Sequence, residues 1–478
     1  MPRKVEPRLL KGFRDYLPEV MIPRTRLLRA IASVFERFGF EPLDTPTIEY
    51  ADILLAKAGP EQEKLIYRFK DHGDRDVALR YELTISLARV LAQYSTDLPR
   101  PFKRYQMGPV WRADAPGKGR YREFWQCDVD IVGTSSLLAD AECLAVDHAV
   151  MTAVGVSTHL IRFNNRKLFR GLQEHYGINS DAVMADAMRA VDKIDKIGFE
   201  GVKTDLESLA GRDGVSMAAI KALQGFISQA CHPNLGYVDR LDLCRVTAGK
   251  TEIGRIACEE IQRVRDSAVA MGVPEHHLKF DPTIVRGLDY YTGTVFETFL
   301  TDAMDYGSVM SGGRYDGLVG VFANQDEPAV GISVGIDRLI TVLDEKGLLK
   351  KAKSSADVLV IVFEETAANS MRLAELLRAA EIKAELYLDR SAKLKKQLAY
   401  AQRKGIPLVL MFGSEEKASK AVILKEMNSQ VLGVDSQQKI GVEHVVDEVK
   451  KILEKRSALP ANDVPRLATW QPGKPFWE

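Results

Sequence analysis

The chain has 478 residues, 46% of them apolar and 28% charged, which fits a folded protein of roughly three domains with large cores. Its 66 Lys plus Arg balance 66 Asp plus Glu, which excludes a polycation, so any nucleic-acid contact has to come from a local basic patch. The five cysteines (127, 143, 231, 244 and 258) are scattered without a CxxC pair, and no leader-like or membrane-length apolar run is visible. A disulfide framework, a zinc site and a membrane span are therefore not expected, and a reduced, cytoplasmic protein is.

In chain order, Leu27, Leu28, Ile31, Val34, Phe35 and Phe38 recur at helical spacing and predict a helix over Pro23–Phe38, ended by Gly39. The following Glu41–Pro46 carries Pro42 and Pro46, so it belongs at a sheet edge or an interface. Leu79–Thr84 leads a short strand into a helix through Val90, and Glu82 and Thr84 at the junction can either cap the helix or receive an ammonium.

The most informative stretch is Phe102–Gly133. Two strand-like arms, Arg104–Arg112 and Phe124–Val132, flank a loop, Ala113–Gly119, that contains Pro116, Gly117 and Gly119. Strand side chains alternate with a period of two, so Gln126, Asp128 and Asp130 share one face. Arg112, Arg120 and Arg122 come up beside it. Acceptors and guanidinium groups on one floor suit a zwitterion held next to a polyphosphate, and a solvated surface hairpin is the alternative.

From about 166 to 277 the pattern is helix after helix, clearest over Thr251–Met271, and reads as an all-helical insertion. Ala248–Thr251 has the ending of a phosphate loop, but Cys244 stands where its first glycine would be. Strand pattern resumes over Asp281–Glu297. The Ser311–Leu318 glycines either let backbone come close to a ligand or simply turn the chain, and Ala329–Leu339 reads as a small-residue strand entering a helix. Arg338 would then sit at a helix start, an unfavourable place for a cation that either solvent or an anionic ligand would relieve.

After a polar linker at Lys350–Ser355, a β-α-β-α-β run follows: Val358–Phe363, a helix to Ala380, Lys383–Tyr387, Lys393–Lys404 and Pro407–Phe412. It predicts a parallel sheet with right-handed crossovers. On its second helix Lys393, Lys396, Tyr400, Arg403 and Lys404 form a basic face, either solvated or in contact with RNA. Residues 456–478 hold four prolines and read as a tail.

Together these stretches resemble the histidyl-tRNA synthetases, class II aminoacyl-tRNA synthetases. Gly39–Pro46 is similar to the first class motif, the hairpin to the second and Gly331–Leu339 to the third. Arg286-Gly287-Leu288-Asp289-Tyr290-Tyr291 and Ser311-Gly312-Gly313-Arg314-Tyr315-Asp316-Gly317 resemble the two signatures of the histidine enzyme. The resemblance implies an α+β catalytic domain on an antiparallel sheet, formed by 1–165 and 278–346 around the helical insertion 166–277. It further implies a linker at 347–356, an anticodon-binding α/β domain at 357–455 and the tail at 456–478. Homodimerisation through the first-motif region is implied as well.

Carried over by position, the resemblance assigns the phosphorus-gripping roles to Arg112 and Arg286. ATP falls to Arg112, Arg120, Arg122, Phe124 and Arg338, and histidine to Glu82, Thr84, Gln126, Asp130, Tyr290 and Tyr291. Mg2+ would accompany ATP, and its ligands are not identified. Glu82 stands where some members have Asp, and Phe13 replaces a small polar residue in the Gly12–Asp15 turn. Two alternatives share the fold: the synthetase-like regulatory subunit of ATP phosphoribosyltransferase, and a non-catalytic tRNA sensor. The signature arginine and the C-terminal domain argue against the first, and three retained arginines (112, 286 and 338) against the second.

Overall fold

The structure, a computed structural model, describes residues 5–57, 59, 63–117, 119–285, 291–323, 325–349, 351–427 and 437–458. It separates into two compact units, Met1–Arg14 with Arg29–Val342, and Asp15–Leu28 with Leu343–Glu478.

The described residues form sixteen strands, β1 to β16 in chain order. Strands β1 (Glu41–Pro42), β2 (Ile48–Tyr50), β3 (Arg68–Lys70) and β4 (Asp76–Leu79) precede the long hairpin of β5 (Phe102–Trp111) and β6 (Glu123–Val132). Then come β7 (His159–Asn165), β8 (Leu278–Phe280), β9 (Thr294–Leu300), β10 (Met310–Tyr315) and β11 (Ala329–Val334). The first unit is built on an eight-stranded sheet of order β1-β5-β6-β11-β10-β9-β7-β8. Its interior pairs are antiparallel, and only the outermost pairs, β1 with β5 and β7 with β8, are parallel. Pro42 lies in the edge strand, where a missing N–H breaks no ladder. Burial alternates strictly along β5, as a period-two strand with one covered face requires. A separate sheet, β2-β4-β3, was not legible in the sequence because its strands are short and β3 is exposed throughout.

Helix Leu137–Ala153 lies against β7, β10 and β11, its N-terminus capped by the Ser136 hydroxyl. Between β7 and β8 the chain is helical from Arg166 to Ala270, and Asn165, Ser180, Ser216 and Thr251 each cap a helix through their side-chain oxygens. Helices Arg166–Tyr176 and Glu252–Ala270 cross at Gly171 and Gly254, where a Cβ on Gly171 would stand 2.6 Å from the Gly254 Cα.

Several expectations need correction. The first helix is Pro18–Arg37: it starts five residues earlier than expected and carries Pro23 inside it, where the missing N–H forgoes one i→i−4 bond. Among the described residues of Asp281–Glu297, only the end, from Thr294, is strand. The Ser311–Leu318 glycines sit mostly inside β10, a central strand rather than a turn. Glycine is needed there for space: a Cβ on Gly312 would stand 2.1 Å from the Gly331 carbonyl oxygen.

The second unit holds a five-stranded sheet of β12 (Val358–Val360), β13 (Ala384–Leu386), β14 (Leu408–Met411), β15 (Ala421–Glu426) and β16 (Gln437–Gly441). The order is β13-β12-β14-β15-β16. The first three are parallel, as the β-α-β-α-β run predicts, and β15 and β16, which lie beyond that run, add antiparallel, so the whole sheet is mixed. Val358, Val360, Leu408 and Leu410 pack with Leu373, Leu377 and Val449 of the covering helices. Gln397 is buried in helix Leu394–Lys404 and fastens it to β12's end, accepting from Val362 N at 3.0 Å and donating to Val362 O at 2.8 Å.

Asp147, on the buried side of Leu137–Ala153, accepts from the Thr298 hydroxyl at 2.6 Å, and its Oδ1 has no partner among the described residues. Burial pushes this carboxyl up to about 7, with Thr298 opposing. In the unfolded chain it ionises near 4, so stability falls as pH rises from about 4 to about 7. Asp147→Asn removes that loss. Urea unfolding should show it ~1–3 kcal/mol more stable than wild type at pH 8, with no gain at pH below the unfolded value.

Candidate active site

A cavity of about 650 Å³ lies on the central sheet of the first unit. Its floor is Gln126, Asp128 and Asp130 of β6 with Gly312 of β10 and Gly331 and Ser333 of β11. Glu82 and Thr84, Tyr291, the hairpin arginines 112 and 120, and Arg338 form the walls. The floor needs glycine: a Cβ on Gly331 would stand 2.0 Å from Asp130 Oδ1.

Cross-strand pairing organises the charge. Arg104 of β5 sits opposite Asp130 of β6, so the two share a face. Arg104 is fully buried, with Nη2 2.6 Å from Asp130 Oδ2, and the Tyr315 hydroxyl donates to Asp130 Oδ1. Burial raises the Asp130 carboxyl, while Arg104 and Tyr315 pull it back. Asp128 faces Ser333 across the β6–β11 ladder. Its carboxyl is pushed up to about 7 by burial, against the pull of Arg104 and the Ser333 hydroxyl. That hydroxyl also accepts from Gln126 Nε2 at 2.8 Å. Asp128 Oδ1 and Gln126 Oε1 are buried acceptors with no partner among the described residues. Burial, then the neighbouring carboxylates Glu82, Asp130 and Asp128, push the Tyr291 phenol upward, so it stays a neutral donor.

The rim is cationic. Arg112 Nε donates to Tyr81 O at 3.2 Å, and its guanidinium lies 4.3 Å from the Tyr81 ring centre and 5.1 Å from that of Phe124. Arg120 is exposed and paired with Asp114 at 2.9 Å. Arg338 occupies the first turn of helix Ile336–Glu345 and donates to Ser308 O. Its neighbour Asp337 accepts from Trp125 N at 2.7 Å and from Arg14 at 2.8 Å. A carboxylate at the helix start offsets part of the unfavourable placement of Arg338.

The cavity thus brings together Glu82, Thr84, Arg112, Arg120, Phe124, Gln126, Asp130, Tyr291 and Arg338. Arg122 is the exception. It donates to the carbonyls of Asp114 and Lys11 and does not line the cavity, because it precedes β6 and escapes the strand alternation. Neither Glu82 nor Thr84 caps helix Thr84–Gln93, whose N-cap is Leu83 without a side-chain bond. Arg286 and Tyr290 lie outside the described residues. Among the lining residues the sequence reading assigned no role to, Asp128 was within reach of the period-two rule. Ser333 and Tyr315 lie in stretches that carry the resemblance but were given no role, and Asp192 and Lys196 arrive from the helical insertion without a local signal.

The acidic residues near the rim do not make a metal cage: Asp114 holds Arg120, Asp337 holds Trp125 N and Arg14, and Glu297 accepts from Ser308. Away from the cavity, His148, His159 and His277 gather their ring nitrogens within 4.8 Å. His159 and His277 are stacked 4.0 Å apart and 11° from parallel. A ligated metal lies close to the plane of each imidazole, so two stacked rings cannot share one.

An antiparallel sheet carrying an acceptor floor and an arginine rim on one hairpin defines the catalytic fold of a class II aminoacyl-tRNA synthetase. Residues 12–339 match the family model "Histidyl-tRNA synthetase" and residues 357–452 match "Anticodon binding domain". The chain is 39% identical over 424 residues to the histidine–tRNA ligase of Rhodopirellula baltica, covering 88% of this chain and 94% of that one. It is 40% identical over 426 residues to that of Helicobacter pylori, covering 89% and 95%. The crystal structure of histidyl-tRNA synthetase from Nostoc sp. superposes with a TM-score of 0.83 at 30% identity, over 94% of this chain and all of that one. The chain belongs to the histidyl-tRNA synthetase family.

Gly331→Ala should force Asp130 off Arg104 and Tyr315. The expected loss is ~1–3 kcal/mol in urea unfolding, and an unchanged midpoint would contradict the crowding described here.

Proposed function

We propose that the chain activates L-histidine with ATP to histidyl-adenylate and pyrophosphate, and then transfers histidine to the 3′ end of tRNA(His). The observation that carries this is a single cavity with an acceptor floor for a small zwitterion and an arginine rim for a polyphosphate. The histidine carboxylate attacks the α-phosphorus of ATP as pyrophosphate leaves. Both reactants are anionic, so the step needs fixed positive charge and alignment more than a base.

Arg112 binds the α-phosphate and the substrate carboxylate, its guanidinium held against Tyr81 and Phe124. Arg286, assigned by the family signature, grips the same phosphorus from the other side. Arg338 holds the γ-phosphate, and Phe124 stacks on adenine. Arg120, in an exposed ion pair of little energy, is free to exchange Asp114 for a phosphate. Glu82, Thr84 and Gln126 receive the α-ammonium. Asp130 and Tyr291, with Tyr290, face the imidazole, and the neutral Tyr291 hydroxyl suits donation to a ring nitrogen. Mg2+ accompanies ATP; the rim carboxylates, each already engaged, supply no evident ligand set.

We read 1–165 and 278–346 as the two parts of the catalytic domain, 166–277 as its helical insertion, 347–356 as the linker and 456–478 as the tail. The domain at 357–455 meets the tRNA. On helix Leu394–Lys404, Lys404 and Tyr400 are tied to Glu385 and Lys396 to Asp389. Exposed Lys393 and Arg403, with no ion-pair partner among the described residues, are the best placed for phosphates. Exposed Ile48, Tyr50 and Phe69 on the β2-β4-β3 sheet, near the first-motif segment in sequence, support a homodimer. Free cysteines at all five positions fit the cytoplasm, and among the described residues no helix is long and apolar enough to cross a membrane.

The test is histidine-dependent exchange of labelled pyrophosphate into ATP. Arg112→Ala and Arg338→Ala should each lower the exchange rate ~10²–10³-fold. Arg286→Ala should abolish exchange while tRNA binding survives; undiminished exchange would remove its assigned role.

A further inference from the structure

We propose that Arg14, which does not itself line the cavity, is a positioning residue for ATP: it ties the hairpin wall to the wall that carries Arg338 and so sets their separation. This rests on the ATP-dependent reading above and adds a residue that reading leaves out.

Phe124 and Arg338, given to adenine and the γ-phosphate, are the sequence neighbours of Trp125 and Asp337. Those neighbours are joined directly, because Trp125 N donates to Asp337 Oδ2 at 2.7 Å across 212 positions of chain. The other oxygen of that carboxylate, Oδ1, accepts from Arg14 Nη2 at 2.8 Å. Arg14 Nη1 donates to the Tyr121 hydroxyl at 2.8 Å, and the guanidinium carbon lies 3.8 Å from the centre of the same ring. Tyr121, Phe124, Trp125, Asp337 and Arg338 all line the cavity. One planar fork therefore holds both walls at once, a geometry that suits guanidinium better than a point-charge ammonium.

The segment that carries Arg14 is seated on the hairpin in its turn. Arg122 N donates to Gly12 O at 2.9 Å, Arg122 Nη1 donates to Lys11 O at 3.2 Å, and Arg112 N donates to Arg122 O at 2.9 Å. Gly12 has a φ of +88°, and a Cβ there would stand 2.8 Å from Arg122 Cγ, so glycine admits the close approach. Arg122, which the cavity does not use, thereby sets where Arg14 stands. Asp337 is 2% exposed, and a carboxylate so buried that loses a cationic partner has reason to move. Movement there displaces the helix turn that bears Arg338, and a misplacement of about 1 Å at a ligand-binding group can cost ~10²-fold in rate.

The experiment is ATP binding by the full chain, measured by calorimetry without histidine, beside histidine-dependent pyrophosphate exchange. Wild-type binding without exchange sinks the histidine reading alone; no wild-type binding sinks both. Arg14→Ala should weaken ATP binding and raise KM for ATP ~10-fold, the equivalent of one charge-assisted hydrogen bond, with KM for histidine unchanged. A merely structural residue would lower the unfolding temperature and the active fraction and leave both KM values in place, and that result overturns the proposal. An equal rise in both KM values overturns it too. Combined with Arg338→Ala, the effect on ATP should be smaller than the product of the two single effects; independent effects would show that Arg14 does not act through that wall. Should Arg14→Ala not fold, Tyr121→Phe removes only the hydroxyl that Arg14 reaches, and an unchanged affinity for ATP there overturns the proposal as well.

Discussion

The cavity floor depends on one buried ion pair. Arg104 has no solvent contact and stands 2.6 Å from Asp130, its cross-strand neighbour in the β5–β6 ladder. Desolvating a guanidinium is expensive, and removing either partner leaves the other charge stranded, which typically costs more than replacing both. The pair therefore acts as a register lock: sliding β5 against β6 by one residue would turn Arg104 and Asp130 to opposite faces. Tyr315 joins the lock from β10, and the glycines of β10 and β11 let the backbone close over it.

Around this lock the site divides into two electrostatic halves. The floor is acceptor-rich and raises its own carboxyl groups by burial, whereas the rim keeps its arginines on the hairpin loop and at a helix start. A zwitterion next to a polyphosphate suits that division, since the ammonium end meets the acceptors and the carboxylate end meets the cations. Preorganisation of this kind costs stability in the empty protein and returns it when the ligands arrive.

What was legible in the sequence follows from the range of the forces involved. The hairpin was legible because strand alternation and turn residues are local, and so was the shared face of Gln126, Asp128 and Asp130. Arg122, grouped with Arg112 and Arg120 as a loop arginine, instead bonds the carbonyls of Asp114 and Lys11, because loop geometry and not alternation sets its direction. Gly312 and Gly313 looked like a turn because their requirement is close approach between strands, not bending. Ser333 and Tyr315 could not be connected to Asp128 and Asp130, because only the folded ladder brings them together across 185 positions in the case of Tyr315. The antiparallel strands β15 and β16 escaped because the preceding alternation of strand and helix suggested a complete sheet.

Asp337 joins three remote parts of the chain on one carboxylate: the Trp125 amide in the hairpin, Arg14 near the N-terminus, and its own helix next to Arg338. Arg14 also lies over the Tyr121 ring at 3.8 Å, so the leading segment clasps the hairpin tip as well as the helix. The helix start that carries Arg338 is thus fastened in part by a residue that precedes the first helix. A segment to which the sequence reading gave no role thus braces one cationic wall of the cavity.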